Sequence, residues 1–498
     1  MPARMNFETQ LGAAPARARE RVDADAPMRI LVIGDFSARG GSAPQDLATR
    51  RPQAVDIDTF EPVLRRIAPR LTTPGRVEIV FNDLDDFHPD ALYKRVAVFE
   101  RLRDLRGRMQ DSATFAAAAE AFRAQSQHDV PPTARTAEQP TAATEEDDDT
   151  LSRLLGRGGS AAPQAAASPE AGINAFIRSI VAEHIAPDAP PHQAQYIAAA
   201  DAAIGAQMRT ILHAPEFQAL ESLWRGVYWL VSNLELGETL KLYLLDASKS
   251  ELLQDMQGDL AASATYKTLV EAPSVAGAEP WSLVVADYEF GPAGEDVTLL
   301  AMLGAVASHA GAPVIGGASA ALAGCESFAA TPDPSAWRDS SDPSLEAWHS
   351  LRRSAMAPWI ALAAPRVLLR LPYGKSTDRI ASFELDELGP AREHDAYLWG
   401  NAALACALLI GRAFLARGWD MEPGDELDVD DLPAHTYEED GEKHLQACAE
   451  TYLSERAGQG VLDRGLIPLL SYKNRNAVRV MRFESIADPA TALTGPWG

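Results

Sequence analysis

The residues of this chain that come closest to a catalytic motif lie in two short glycine-containing stretches. The first, LPYGKS at residues 371–376, ends like the glycine-rich loop whose backbone amides surround a phosphate. That loop needs a glycine five residues before Gly374, and Leu369 occupies the position. Because the amides cannot then surround a phosphate, we interpret the stretch as a turn after an apolar strand and expect no bound nucleotide.

The second stretch, GGASAAL at residues 316–322, approaches the sharp strand-to-helix turn that exposes a nucleophilic serine. Ser319 would be the nucleophile, but Ala321 stands where that turn normally requires glycine. The sequence places no acidic partner beside a histidine that would serve as the base. An α/β enzyme, a hydrolase that uses Ser319, therefore stays open as an alternative to a protein without catalysis.

Metal, cofactor and disulfide chemistry has little support in the pattern of ligand residues. The ten histidines are scattered, and no two of them lie four residues apart as zinc ligands on one helix would. Cys325, Cys406 and Cys448 are far apart and form no CxxC motif, which favours a reducing cytoplasm. We therefore expect no cofactor and no metal site.

The net charge and the apolar stretches of the sequence argue against two kinds of partner, nucleic acid and the membrane interior. The formal net charge of −25 disfavours a nucleic-acid partner, because such binding depends on Lys and Arg at phosphates. Two apolar stretches, residues 299–324 and 396–416, are interrupted by Gly and Pro or by polar residues. We interpret both as buried core segments and expect no direct membrane insertion.

Strand-like and helix-like patterns alternate along the chain, which is typical of an α/β fold. Residues 28–109 predict a small N-terminal α/β unit after a flexible arm at residues 1–27. Residues 110–172 are rich in Ala, Pro and acidic residues and predict a disordered linker. Residues 173–498 predict a larger α/β domain with a mainly parallel central sheet and a β-rich C-terminus.

One piece of the linker differs from the rest. Residues 150–156 place Leu151, Leu154 and Leu155 at one-turn spacing behind acidic residues that suit a helix N-terminus. A short docking helix explains the pattern, and a frayed turn without a role explains it equally well.

The longest amphipathic pattern spans residues 200–234 and predicts two consecutive helices. Pro215 stands where the second helix would begin, a position at which its missing N–H is harmless. A broad apolar face that includes Trp224 and Trp229 needs a large surface to pack against. A strand-like run at residues 241–247 follows at once, so we expect a sheet to be that surface.

This helix pair resembles the signature of the large contractile-sheath subunit of bacterial type VI secretion systems. The matching residues are His213, Pro215, Glu216, Phe217, Gln218, Leu220, Glu221, Trp224, Arg225 and Gly226. The N-terminal unit resembles the small sheath subunit of the same systems, through Gly34, Asp35, Phe36, Arg51, Asp56, Phe60, Phe87, His88, Pro89 and Leu92. In most such systems the two subunits are separate chains, whereas both resemblances here lie on one polypeptide.

The resemblance implies a structural protein, not an enzyme. It implies a helical homopolymer that surrounds an inner tube protein, assembles on baseplate components and contracts to drive secretion. A sheath-like adaptor that binds a baseplate without polymerising remains an alternative. The resemblance also implies recycling by a hexameric AAA+ unfoldase, for which Leu151, Leu154 and Leu155 are the expected docking residues.

Subunits of such sheaths are tied by terminal strands that join a neighbour's sheet, a form of β-augmentation. The expected ties are two β-rich C-terminal runs, residues 466–472 and 477–483, which a hairpin-like turn separates, together with a strand near the linker. The residues expected to carry them are Leu466, Ile467, Leu469, Val478, Val480, Met481 and Phe483.

Overall fold

The computed structural model describes residues 23–39, 44–72, 78–126, 193–339, 342–389 and 391–497. Its strands are β1 (Met28–Gly34), β2 (Gln53–Val55), β3 (Arg70–Thr72), β4 (Glu78–Val80), β5 (Leu240–Asp246), β6 (Leu283–Phe290), β7 (Val314–Ala318), β8 (Ile360–Ala364), β9 (Val367–Leu368), β10 (Trp399–Gly400), β11 (Asp428–Val429), β12 (Thr436–Glu439), β13 (Glu442–Leu445), β14 (Ile467–Ser471) and β15 (Val478–Val480). Its α-helices of seven residues or more are α1 (Phe60–Ile67), α2 (Pro89–Arg95), α3 (Ala97–Gln110), α4 (Phe115–Ser126), α5 (Gln193–Leu212), α6 (Pro215–Asn233), α7 (Lys249–Met256), α8 (Gly294–Ala310), α9 (Glu346–Arg352), α10 (Ala402–Arg417) and α11 (Glu455–Leu462).

The described residues fall into two compact units. The larger unit takes its residues from Met1–Leu71, Val80–Pro89 and Ile211–Gly498, and the smaller from Thr72–Ile79 and Asp90–Thr210. Within the smaller unit an ion pair between Arg106 and Asp201 joins α3 to α5. The side-chain amide of Gln193 adds a hydrogen bond of 2.9 Å to the carbonyl oxygen of Met109.

A nine-stranded sheet forms the centre of the larger unit, in the order β11-β15-β14-β8-β7-β6-β1-β5-β2. The six strands from β14 to β5 pair in parallel, and the remaining pairs are antiparallel. The predicted α/β fold with a mainly parallel central sheet is therefore confirmed. The parallel pairs need crossover helices, and α7, α8 and α9 lie between successive sheet strands in the chain.

Strand β1, from the N-terminal part of the chain, is an interior strand of this sheet and lies between β5 and β6. It pairs in parallel with β5 from Met28 to Gly34 on one side and with β6 from Ile30 to Ile33 on the other. Its run of Ile, Leu and Val suits a strand that is buried on both faces. Residues 28–55 and residues 240–480 thus contribute strands to the same sheet, while the predicted domain boundaries remain a prediction.

The two faces of β1 pack against different helices because successive side chains point to opposite sides of a strand. Leu31 and Ile33 belong to the same apolar cluster as the buried residues of α8. Gly34 faces α6, where a Cβ added to it would lie 2.9 Å from Cδ2 of Leu223. The predicted helix pair is confirmed as α5 and α6, and α6 packs against the sheet as expected.

A glycine sets the close approach of α6 to α10. A Cβ on Gly226 would lie 2.3 Å from Cδ1 of Leu404, which is fully buried. A larger residue would have to displace a packed side chain, at a typical cost of about 1–3 kcal/mol. Gly226 is therefore explained by helix packing.

One described helix is long and apolar enough to cross a membrane. It covers Ala402–Asp420, and 67% of its most apolar window is buried inside the protein. Helix α10 is buried at nearly every position from Ala402 to Phe414, which agrees with the predicted core helix.

Candidate functional site

The helix that carries the sheath-like signature, α6, begins at Pro215 as predicted. Trp224 in its middle is fully buried, and its indole Nε1–H donates to the carbonyl oxygen of Phe36 at 3.0 Å. The rings of Phe36 and Phe60 meet the indole edge-on, with centroids 5.1 and 5.8 Å away. The signature tryptophan therefore fastens α6 to the segment that follows β1.

A buried ion network starts one helical turn before this tryptophan. Glu221 is fully buried and accepts from Nε of Arg370 at 2.8 Å. On its other side Arg370 donates to both carboxylate oxygens of Glu387, at 2.7 and 2.8 Å. Burial by itself would raise the pKa of Glu221, but the guanidinium groups of Arg370 and Arg225 outweigh it and hold the pKa below its ordinary value.

The network continues to Arg225 and Tyr373. Arg225 donates to Glu221 at 2.7 Å and to the Tyr373 hydroxyl at 3.1 Å. The guanidinium carbon of Arg370 lies 4.2 Å from the centre of the Tyr373 ring, against which the ring of His88 also packs. Two carboxylates and two guanidinium groups thus balance their charges inside the protein, which is the condition for burying them.

The sequence singled out Glu221 and Arg225, but it gave no sign of Arg370 as their partner. Glu221 and Arg370 are 149 residues apart, and no local pattern links them. The role of Glu387 in this network could not be predicted either, because its acidic neighbours in the chain suggest only a solvated loop.

A second ion cluster fastens the residues after β1 to the start of α7. Arg50 donates to both oxygens of Glu251 at 2.7 Å, and Arg39 donates to Asp246 at 2.6 Å. Glu251 also caps α7 by accepting from the amide of Ser248 at 2.8 Å. Burial would raise the pKa of Glu251, but its bonds to Arg50 and to the Ser248 amide lower it to about 2.

Asp287 in β6 is an acid of a different kind, because its residue is only partly buried although one carboxylate oxygen is fully enclosed. Its Oδ1 atom is buried and has no hydrogen-bond partner within the described part of the chain. Its Cβ is 3.5 Å from the point where a Cβ on Gly34 would lie, so the side chain faces the α6 side of the sheet. Burial raises the pKa of Asp287 to about 7.

The predicted tie residues all lie at one end of this chain's own sheet. Strand β14 pairs with β8 and β15, and β15 pairs with β14 and the two-residue edge strand β11. Met481 is partly buried, and the others are buried: Leu466, Ile467, Leu469, Val478, Val480 and Phe483. Whether these strands also join a neighbouring chain stays a prediction.

The remaining sequence predictions fall in separate places. Leu151, Leu154 and Leu155 lie outside the described residues. Ser319 follows β7 and caps a short 3₁₀ turn by accepting from the amide of Ala321, which explains its position without catalysis. No group of three or more metal-binding side chains occurs in the parts of the chain that the structure describes.

The LPYGKS stretch lines a surface cleft of about 720 Å³. The Gly374 amide donates to the carbonyl oxygen of Asp378 at 2.8 Å, and Lys375 pairs with Glu384 at 2.9 Å. Because this amide and this ammonium group already have partners, the loop is a turn of the kind the sequence predicted.

Two family profiles match the chain and together include the signature helix, both ion clusters and the central sheet. The VipB profile, described as the EvpB/VC_A0108 tail sheath N-terminal domain, matches residues 194–487. The VipA profile of type VI secretion systems matches residues 10–133. The chain therefore belongs to the tail sheath proteins of type VI secretion systems, with a VipA-like segment followed by a VipB-like segment.

A curated relative makes the comparison more particular. The type VI secretion system sheath protein TssC1 of Pseudomonas aeruginosa is 36% identical over 309 residues. The matched region covers 59% of this chain and 61% of that protein, so the chain spans less than two thirds of the relative's length.

Proposed function

We propose that this chain is the structural subunit of a contractile sheath in the cytoplasm. Copies would polymerise into a helical tube around an inner tube protein, assemble on baseplate components and shorten to drive secretion. The observation that carries the proposal is the match of both sheath segments on one chain, which meet in one sheet at β1. This function needs no bond cleavage by the protein.

The joint between copies is proposed to lie at the β11 end of the sheet. Strand β11 covers its neighbour β15 with only two residues, Asp428 and Val429. Each backbone hydrogen bond contributes about 0.5–1.5 kcal/mol net, so a longer strand from another copy would displace so short an edge strand. A sheet edge opened in this way is the usual acceptor in β-augmentation.

A reversible disulfide tests this joint. Asp428 and Arg479 are direct cross-strand partners, and both side chains reach solvent. In the variant Asp428→Cys/Arg479→Cys, oxidation would form a disulfide that holds β11 against β15. A strand from another copy could then not displace β11, so we expect tubes or rings by negative-stain electron microscopy only after reduction. A deletion of residues 477–498 would not isolate the joint, because it would also remove the buried residues Val478 and Trp497 from the core.

The matched control pins a hairpin away from this edge. Glu438 and Lys443 are direct partners in the β12–β13 hairpin, so Glu438→Cys/Lys443→Cys should form polymer in both redox states. Polymer from oxidised Asp428→Cys/Arg479→Cys would refute the joint. Small closed oligomers from the unmodified chain would instead favour a baseplate adaptor without a tube.

We also propose that an AAA+ unfoldase recycles contracted sheath by binding Leu151, Leu154 and Leu155. The support is the helical spacing of these residues in the sequence. The double variant Leu154→Asp/Leu155→Asp should lose binding in a pull-down with the unfoldase, and unchanged binding would remove this assignment.

A further inference from the structure

Strand β1 lies between β5 and β6 in the interior of the central sheet, and the space that it fills between these two strands is called the slot below. The walls of the slot, β5 and β6, lie in the VipB-like segment, whereas β1 lies in the VipA-like segment. Every residue of β1 has a partner on β5, and four of them also have a partner on β6. Without β1 the sheet would have two unpaired strand edges in its interior, which folded proteins avoid.

The side chains of β1 are enclosed by the protein as completely as its backbone is paired with β5 and β6. Met28, Ile30, Leu31, Val32 and Ile33 are all fully buried. Apolar burial on this scale stabilises by roughly 1.5–3 kcal/mol for each large side chain, so the slot is part of the protein core.

Polar contacts fix the register of the same segment. The indole of Trp224 donates to Phe36 just after β1, and Arg50 forms its paired hydrogen bonds with Glu251. Arg50 also donates to the carbonyl oxygen of Asp246, the last residue of β5. Each of these contacts joins the VipA-like segment to the VipB-like segment.

We propose that this chain is a self-contained sheath subunit that neither needs nor admits a separate small sheath subunit. Its own residues 28–55 supply β1, which fills the slot between β5 and β6, and β2, which pairs with the other side of β5. Because filling the slot is intramolecular, a freely diffusing partner would have to exceed the effective concentration of the attached segment. The inference deepens the proposed function by stating which partner the sheath does without.

Proteolysis of the full chain tests the proposal. A protease recognition sequence is placed between residues 134 and 193, which neither family profile matches, and the purified chain is then cut there. Native mass spectrometry should find one N-terminal piece with one C-terminal piece, and hydrogen exchange should stay slow at Ile30–Ile33. Pieces that separate on cutting, or fast exchange in β1, would overturn the proposal.

An isotope-mixing arm tests whether the slot admits a second segment. Heavy-labelled cut chain is incubated with unlabelled uncut chain, and the masses of all complexes are measured. We expect the heavy N-terminal piece to stay with its own C-terminal piece. A complex of uncut chain with a heavy N-terminal piece would show that the slot accepts a segment from outside.

Two neighbouring arginines provide matched variants for the cut chain. Arg50→Ala removes the bonds to Glu251 and Asp246 and should speed dissociation of the pieces about tenfold or more. Within the part of the chain that the structure describes, Arg51 donates only to the nearby carbonyl oxygens of Ala48 and Arg50, so Arg51→Ala should change the rate less than about twofold. Equal rates in the two variants would count against the proposal.

The outcome is separable from that of the proposed function. Pieces that stay paired in a sample without tubes would leave the self-contained subunit standing and would refute the sheath polymer. If the uncut chain forms tubes but its pieces separate after cutting, the sheath polymer stands and the self-contained subunit is refuted.

Discussion

Arg370→Ala is expected to lower the free energy of unfolding by about 3–5 kcal/mol, as breaking a buried ion pair from one side does. The substitution leaves Glu221 and Glu387 buried, with side chains 0% and 1% exposed. Glu221 keeps Arg225, but Glu387 loses both of the hydrogen bonds that Arg370 donates to it. Urea unfolding of the unpolymerised chain, followed by circular dichroism, measures the difference.

Lys375→Ala is the matched control, because it removes an ion pair from the same loop at the surface. The side chains of Lys375 and Glu384 are 68% and 76% exposed, so the change should stay within about 1 kcal/mol. A loss of less than about 1 kcal/mol in Arg370→Ala would mean that the buried carboxylates find other partners.

The pH dependence of this effect has a definite sign. The folded state holds the pKa of Glu221 below its unfolded value, so this carboxylate stabilises the fold above its ordinary pKa. That stabilisation is lost as the pH falls through the lowered, folded-state pKa. Removal of Arg370 should therefore matter most near neutral pH and least in strong acid.

Asp287→Asn is expected to stabilise the protein near neutral pH, by up to about 4 kcal/mol if the roughly three-unit rise in pKa is fully expressed. Burial raises the pKa of Asp287 from 3.8 to about 7, so the folded state resists ionising a side chain that the unfolded state ionises freely. The wild-type chain thus loses stability as the pH rises from about 4 to about 7 and levels off above that. Because asparagine does not titrate, the stability gained by Asp287→Asn should increase as the pH rises from about 4 to about 7 and should then level off.

Thermal unfolding at several pH values between 4 and 8 measures this gain. Glu289 lies two residues further along β6 on the same face but is exposed, so Glu289→Gln should show no comparable rise with pH. A gain in Asp287→Asn that is equal at pH 4 and pH 8 would show that the buried acid is not the cause.

Both effects bear on the proposed sheath subunit, because they concern how rigidly α6 is held against the central sheet. Helix α6 carries Trp224 toward the segment after β1 and Glu221 toward the loop at Arg370. A helix tied in both directions moves with the sheet as one body, so a change between two sheath states would fall on contacts between copies. If the sheath proposal holds, the buried ion network would keep the subunit rigid, and the short edge strand β11 would be the part that another copy displaces.

Much of the architecture was predictable because it depends on local patterns. The start of α6 at Pro215, the burial of α10 and the parallel sheet all follow from periodicity, proline placement and β-branched runs. The sheath family that the residues from His213 to Gly226 suggested is confirmed by the family match over residues 194–487. In each of the two glycine-containing motifs the sequence also shows which glycine is missing, since Leu369 and Ala321 stand in its place.

The sequence by itself determined the fold class, the helix that organises it and the sheath family, since each is written in residues close together in the chain. Only the tertiary structure decided that β1 lies between β5 and β6, that Arg370 joins Glu221 to Glu387, and that Asp287 has no partner among the described residues. These features depend on residues from 17 to more than 200 positions apart. Strand order and charge pairing at such separations are set by the packing of the whole unit, and no local pattern encodes them.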